Sequence, residues 1–428
     1  MSDVLRIGIA GVGTVGTGTI NILRNNAVMI AGRCGKKLVV TAASIRDAKK
    51  KRDVDLGGIN IVADPQALLK EPVDIIVELM GGHEGAARTL VTTALEAGKH
   101  VVTANKALMA HHGLELAKLA EKNNVILAFE AAVAGGIPII AALRGGLSAN
   151  NINRVAGILN GTCNFILTKM LHESASFESV MEEAGKLGYL EADPSLDIDG
   201  IDAGHKIAIL ASLAFGTQVD VKSVAMTGIR SVTLRDIHYA RDFGYRIKLL
   251  GVAERTSEGL LQTVEPCLVP VDAPLAGVDG SFNAVEVEGD AVGKVVFEGR
   301  GAGAGPTGSA VVSDLIAIAR GDSYPPFTIP AAQLEKAKTA SADKREGSYY
   351  IRLSLKDEPG VLADFTHEFA VQKISVKSII QREIAEDKSA QVVVTTHTAN
   401  EGAVKRAVAA IEKLGCTVAA PVLLRIHT

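Results

Sequence analysis

Leu5-Arg6-Ile7-Gly8-Ile9-Ala10-Gly11-Val12-Gly13-Thr14-Val15-Gly16 reads as a short buried strand, a Gly-x-Gly-x-x-Gly turn and the start of a helix. Gly11 permits the tight turn, Gly13 lets the backbone approach a pyrophosphate, and Gly16 lets the helix pack close to the strand. The helix start at Thr14 and Val15 then offers free N–H groups and partial positive charge to phosphates. Glycine alone carries little weight in a chain with 43 of them; the position directly after an apolar strand carries the argument.

Beyond this motif, apolar runs at 38–45, 59–63, 73–80 and 100–103 alternate with helical patterns, notably 84–97 and 113–122. Strands apolar on both faces and joined by helices imply a parallel sheet covered on each side. Right-handed crossovers make it a doubly wound, Rossmann-type α/β sheet with ligand at the carboxyl ends of the strands. Residues 1–130 are therefore expected to bind a dinucleotide. Residues 131–320 are mixed, strand-like at 154–159, 245–252, 260–269 and 284–289 and helical at 176–187 and 201–214. They are expected to form an α+β unit for substrate binding, catalysis and dimerisation. The second glycine-rich loop, 299–308, contains Gly303 as a candidate cofactor contact and is expected to open a helix at 309–320 that packs back on the first unit. Ser323-Tyr-Pro-Pro-Phe327 and the charged stretch 336–345 mark 321–347 as a linker. In 348–428, strands at 349–355, 374–381, 390–397 and 416–425 alternate with helices at 361–371 and 400–414, a ferredoxin-like βαββαβ order.

Composition excludes several classes of function. A net charge of −3 and 4% aromatic residues without Trp argue against a nucleic-acid partner. No stretch of 18 uncharged apolar residues occurs, and 128–143, which comes nearest, holds Glu130, two glycines and Pro138, so no membrane span is expected. The four cysteines are far apart and form no Cys-x-x-Cys pair, and the first residues lack a charged and apolar leader. A reducing cytoplasm is the expected setting.

Four clusters carry chemistry. After the second strand, Arg46 is followed by Asp47, Lys49, Lys50, Lys51 and Arg52. This basic set favours the 2′-phosphate of NADP(H), while Asp47 leaves NAD(H) open. Thr103-Ala104-Asn105-Lys106 follows the fifth strand and directs Lys106 into the nucleotide crevice. Glu191, Asp193, Asp197, Asp199 and Asp202 crowd twelve residues and repel one another unless a cation or polar ligand sits among them. Asp202 and Lys206 then share one helix face at i,i+4. Finally, Glu130-Ala-Ala-Val133-Ala-Gly135-Gly136-Ile137-Pro138 sets glycine-exposed carbonyls beside a carboxylate. That pattern suits a monovalent cation, or a domain crossover that needs unusual φ/ψ.

Taken in order over 5–320, these motifs, with Asn160-Gly-Thr-Cys-Asn-Phe-Ile, Gly188-Tyr-Leu-Glu191-Ala-Asp-Pro and Asp199-Gly-Ile-Asp202-x-x-x-Lys206, resemble homoserine dehydrogenase. The segment from Asp357-Glu-Pro-Gly360 onward resembles an ACT domain. No kinase-like segment precedes them, as in the monofunctional form of the family. The resemblance implies reduction of L-aspartate 4-semialdehyde to L-homoserine by NAD(P)H, a step in threonine, methionine and isoleucine biosynthesis. It implies Lys206 as proton donor and Lys106 as a second lysine at the carbonyl and nicotinamide. Glu191, Asp197 and Asp202 would bind homoserine, with Gly188 near both substrate and cofactor. Glu130, Val133, Gly135 and Ile137 would hold sodium, the last three through carbonyl oxygens. The ACT resemblance implies an amino-acid effector, threonine first, near Asp357–Gly360. Exposed sheet edges further suggest pairing in a homodimer or homotetramer. Two other readings compete: a semialdehyde dehydrogenase using Cys163 as nucleophile, and an amino-acid-sensing regulator with a non-catalytic nucleotide domain.

Overall fold

The computed structural model describes residues 3–47, 49, 51–187, 193–384 and 389–427. Six strands form the first sheet: β1 (Val4–Ala10), β2 (Lys37–Ser44), β3 (Asn60–Val62), β4 (Ile75–Glu78), β5 (His100–Thr103) and β6 (Leu127–Ala128). All pair in parallel, in the order 3-2-1-4-5-6. The order reverses between β1 and β4, which opens the crevice at the carboxyl ends. Ile7, Ile9, Ile75 and Val77 are fully buried, as strands covered on both faces require.

One cover comes from far along the chain. The helix Ala304–Arg320 lies on the helix Thr14–Asn25, so close that a Cβ at Gly18 would overlap the Ala304 carbonyl. This helix begins at Ala304, ahead of the expected 309. Pro306 falls in its first turn, where a missing N–H loses no intrahelical bond.

The second sheet runs through both remaining units. Its strands are β7 (Ile152–Ile158), β8 (Ala225–Met226), β9 (Tyr245–Thr256), β10 (Gly259–Pro270), β11 (Phe282–Gly289), β12 (Gly293–Arg300), β13 (Glu346–Lys356), β14 (Val376–Ile384), β15 (Ser389–Thr396), β16 (Ala399–Asn400) and β17 (Thr417–Ile426). The main path is 12-11-7-9-10-17-13-15-14. The helices Gly161–Glu173 and Ile201–Phe215 pack against it and bring functional side chains to one end.

Two segments are tied closely to the rest of the chain. The C-terminal unit has the βαββαβ order but is not separate: β17 pairs in parallel with β10 at Cys267–Arg425 and Leu268–Ile426. One face of its sheet, with Tyr350, Val393, Leu424 and Ile426, joins the core of the second unit, while the other face is covered by its own two helices. That apolar face is thus buried within the same chain. The stretch 321–347 is likewise no loose tether. Phe327 is fully buried, and Leu260 donates to Lys338 O at 2.8 Å while accepting from Ala340 N at 3.0 Å. Among the described residues, no helix is long and apolar enough to cross a membrane.

Candidate active site

The glycine-rich turn has the geometry a pyrophosphate needs. Gly11 has φ +98°, and a Cβ there would sit 2.8 Å from the Leu79 carbonyl. A Cβ at Gly16 would overlap the Gly11 carbonyl, whereas one at Gly13 would meet nothing within 4 Å. Gly13 thus faces open space, and the helix it starts has no side-chain cap over Thr14, Val15 and Gly16. Arg46 stands exposed past the carboxyl end of β2. Arg52 ties this loop to the turn, donating to Val12 O at 2.9 Å and to Asp47 O at 2.8 Å. Lys50 lies outside the described residues.

Across the crevice, two helices converge on one carboxylate. Asn105 caps the helix Lys106–Lys122 by accepting from Leu108 N at 3.0 Å, which sets Lys106 in the first turn. Gly200, in the left-handed region at φ +83°, turns the chain into the helix Ile201–Phe215 that carries Asp202 and Lys206. Lys106 Nζ lies 2.7 Å from Asp202 Oδ1, and Lys206 Nζ donates to Asp202 Oδ2 at 2.7 Å. Lys206 also donates to the Leu159 carbonyl at 2.7 Å. Burial by itself would raise the Asp202 carboxyl; the two ammoniums outweigh it and hold the group well below the ordinary carboxylate range. Burial pushes the Lys206 ammonium down, and Lys106 adds to that shift against the pull of Asp202.

Asn160 opens the Asn160-Gly-Thr-Cys motif, whose local sequence does not reveal its role. Its amide nitrogen donates to Asp197 Oδ1 at 2.7 Å and to Asp202 Oδ2 at 2.9 Å. Its amide oxygen accepts from Cys163 N at 2.8 Å, capping the helix Gly161–Glu173. The only advance signal is an Asn just ahead of a helix. Asp202 therefore has both oxygens engaged by the chain itself, whereas among the described residues Asp197 has a single such donor. Burial raises the Asp197 carboxyl, with Asn160 opposing. Asp199 and Asp193 are engaged within the chain: Arg230 Nη2 donates to Asp199 at 3.0 Å, and Asp193 accepts from Ser195 N at 3.0 Å. Gly188 and Glu191 lie outside the described residues. The cleft holds about 490 Å³ and is lined by Lys106, Asn160, Thr162, Asp197, Asp202 and Lys206, with Gly301–Gly303 on its far side.

Cys163 does not fit a nucleophile. It is fully buried, its thiol donates to the Asp197 carbonyl at 3.2 Å, and burial beside three aspartates pushes the thiol well up.

The Glu130 turn is built around its carboxylate, which accepts from Ile140 N at 2.9 Å and Ala141 N at 2.7 Å. Ala134 and Gly135 both lie in the left-handed region, φ +55° and +48°, a conformation an alanine rarely adopts. The Ile137 carbonyl accepts from Ile139 N at 2.8 Å. Asp314, on the helix Ala304–Arg320, accepts from Glu130 N at 2.9 Å, and burial followed by the Glu130 charge pushes its carboxyl up to about 7. Among the described residues, no group of three His, Cys, Asp or Glu side chains is placed to hold a metal. In the C-terminal unit, Asp357–Gly360 borders a cavity of about 150 Å³ with Leu355, Gln381 and Val392, beneath the uncapped start of the helix Val361–Val371.

Family models match the chain in sequence order. They are the homoserine dehydrogenase NAD-binding domain over 11–130, homoserine dehydrogenase over 138–316 and the ACT domain over 349–416. A homoserine dehydrogenase of Neisseria gonorrhoeae is 44% identical over 431 residues, covering 99% of each chain. The solved homoserine dehydrogenase of Thiobacillus denitrificans superimposes with a TM-score of 0.94 at 42% identity, covering 99% of this chain and 98% of that one. A hyperthermophilic archaeal homoserine dehydrogenase solved in complex with NADPH gives 0.62 at 31% identity, over 73% of this chain and 97% of that one. A nucleotide crevice facing a Lys–Asp–Lys cluster and full-length similarity to these enzymes lead to one assignment: the chain belongs to the homoserine dehydrogenase family.

Proposed function

We propose that the cleft reduces the aldehyde of L-aspartate 4-semialdehyde to the hydroxyl of L-homoserine, with Lys206 as the proton donor. The observation that carries this reading is the Asp202 carboxylate held between Lys106 and Lys206. A lysine ammonium has three N–H groups. Lys206 directs one to Asp202 and one to Leu159, which leaves the third for the substrate oxygen. Bound NAD(P)H supplies the hydride. Negative charge then grows on that oxygen, where a buried ammonium stabilises it and gives up its proton. Burial lowers the Lys206 affinity for the proton and so eases the transfer. Lys106 adds a second positive charge. Asp202 serves to hold the lysines, leaving Asp197 and Glu191 for the substrate ammonium. The test is oxidation of NADPH followed at its absorbance with aspartate semialdehyde; no turnover with either NADPH or NADH overturns the reading.

Arg46 and the basic loop support a preference for NADP(H), with NAD(H) also accepted. A monovalent cation, sodium first, suits the Glu130 turn: the Glu130 and Asp314 carboxyls lie buried together there, each pushed up by burial, in a turn where Ala134 and Gly135 take left-handed backbone conformations. Glu130, Val133, Gly135 and Ile137 would hold it in a structural role. The cavity at Asp357–Gly360 suits a small amino acid whose carboxylate meets the helix start, threonine being the first to test. With β17 engaged by β10, the outer edge of β14 is left for pairing between copies in a homodimer or homotetramer. Four unpaired cysteines suit a reducing cytoplasm.

A further inference from the structure

Asn283 sits on β11 at the floor of the cleft and is 1% exposed. Its amide nitrogen donates to the Leu159 carbonyl at 3.2 Å, the same carbonyl that accepts from Lys206. A carbonyl can only accept, so the orientation of the amide is fixed: nitrogen toward Leu159, oxygen away from it. That oxygen, buried in the wall of the cleft, has no hydrogen-bond partner among the described residues. The surroundings are shaped to leave it there. A Cβ at Gly301 would overlap the Asn283 amide, and one at Gly161 would come within 3.3 Å of its oxygen. Two glycines therefore let the backbone pack close against an acceptor whose burial costs free energy unless something donates to it.

We infer that Asn283 is a specificity-determining residue of the cleft, its Oδ1 accepting an N–H from the bound reactants. The assignment rests on the catalytic reading of the cleft. The shared Leu159 carbonyl keeps Asn283 beside Lys206 and hence beside the reacting oxygen. Two groups of the reactants bring an N–H that close: the ammonium of the amino acid and the carboxamide of the nicotinamide.

The test uses the full chain, wild type against Asn283→Ala and Asn283→Ser, the serine variant being the smaller disturbance to the floor. Steady-state constants are measured for aspartate semialdehyde and for NADPH, with the pH profile of kcat, and again with the 3-acetylpyridine analogue of the cofactor, in which a methyl group replaces the carboxamide amine. Loss of a neutral acceptor from a charged or amide donor is expected to raise one KM about 10–100-fold, with kcat and its pH profile nearly unchanged. If the donor is the ammonium, KM for the semialdehyde rises with either cofactor. If it is the carboxamide, KM for NADPH rises, and the substitution has no effect with the analogue. Unchanged KM values in a folded variant overturn the assignment. So does a shifted pH profile of kcat at constant KM, because Asn283 would then only steady the Leu159–Lys206 contact. Wild-type turnover is the control: its absence overturns the reading of the cleft and this assignment with it, whereas turnover with unaltered KM overturns this assignment alone.

Discussion

Arg352 on β13 donates to both oxygens of Asp236, at 2.7 and 3.2 Å, and the aspartate side chain is wholly removed from solvent. Tyr350 Oη adds a third bond at 2.9 Å, and Thr233 completes a capping box on the same carboxylate. The C-terminal unit is thus clamped to the helix Leu234–Asp242 by a charge that has no access to water. Arg352→Ala should lower stability by about 3–5 kcal/mol, because it strands a buried carboxylate. The urea midpoint of the full chain measures this, and Asp236→Asn combined with Arg352→Met should recover much of the loss.

Acid should loosen the same junction. His427 is buried at the end of β17, and its ring is held down to about 3, first by burial and then by Arg154 and other nearby cations. A histidine depressed in the folded state leaves stability intact above its unfolded value of 6.5 and takes it away as pH falls from there toward 3. The slope approaches about 1.4 kcal/mol per pH unit for one such group. Unfolding of wild type and His427→Asn at pH 7 and pH 5 measures it, and the variant should lose less stability over that interval.

Lys206→Ala should cut kcat by roughly 10²–10⁴-fold, the range for a positioned acid. Asp202 retains Lys106 and Asn160 as partners, so the fold should survive and circular dichroism should match wild type. A kcat within a few-fold of wild type would remove Lys206 from its role.

Arg46→Glu should move the ratio of kcat/KM for NADPH and NADH toward NADH, since a carboxylate at the end of β2 repels a 2′-phosphate and accepts from a 2′-hydroxyl. Arg52 is a poor choice for this test, because it braces the glycine-rich turn through Val12.

Gly360→Val should abolish any threonine effect while sparing basal kcat. Gly360 has φ +97°, which a β-branched side chain cannot adopt without strain, and it lines the small cavity of the C-terminal unit, which shares no lining residue with the cleft of Lys106 and Lys206. Calorimetric titration of the intact protein with threonine reads the outcome.

Much of the site was legible because its parts are local. The Gly11–Gly16 turn, Lys106 behind a strand and the i,i+4 spacing of Asp202 and Lys206 each need only a few consecutive residues. What escaped reading depends on distant partners. Asn160 joins Asp197 and Asp202 across more than thirty residues, and Asn283 meets Lys206 only through Leu159. The β17–β10 pairing rests on two register pairs between elements that no local pattern links. The strand β12 is largely exposed, so it lacks the apolar alternation that marks a buried strand. Crowded aspartates suggested a cation because charge repulsion is visible in sequence, whereas Arg230 opposite Asp199 is not.

The helix Ala304–Arg320 covers the first sheet with Val311, Leu315 and Ile318, all buried in one core with Ile7, Ile9 and Val77. The nucleotide-binding half is therefore written in two pieces, with the catalytic unit inserted between them. During synthesis at about 5–20 residues per second, the first 130 residues wait roughly 10–40 seconds before their last cover emerges near residue 320. In that interval one apolar face of the sheet is only partly covered, by the helices Thr14–Asn25 and Ala27–Cys34. Premature termination anywhere before that helix should leave a sticky fragment rather than a free-standing cofactor-binding module.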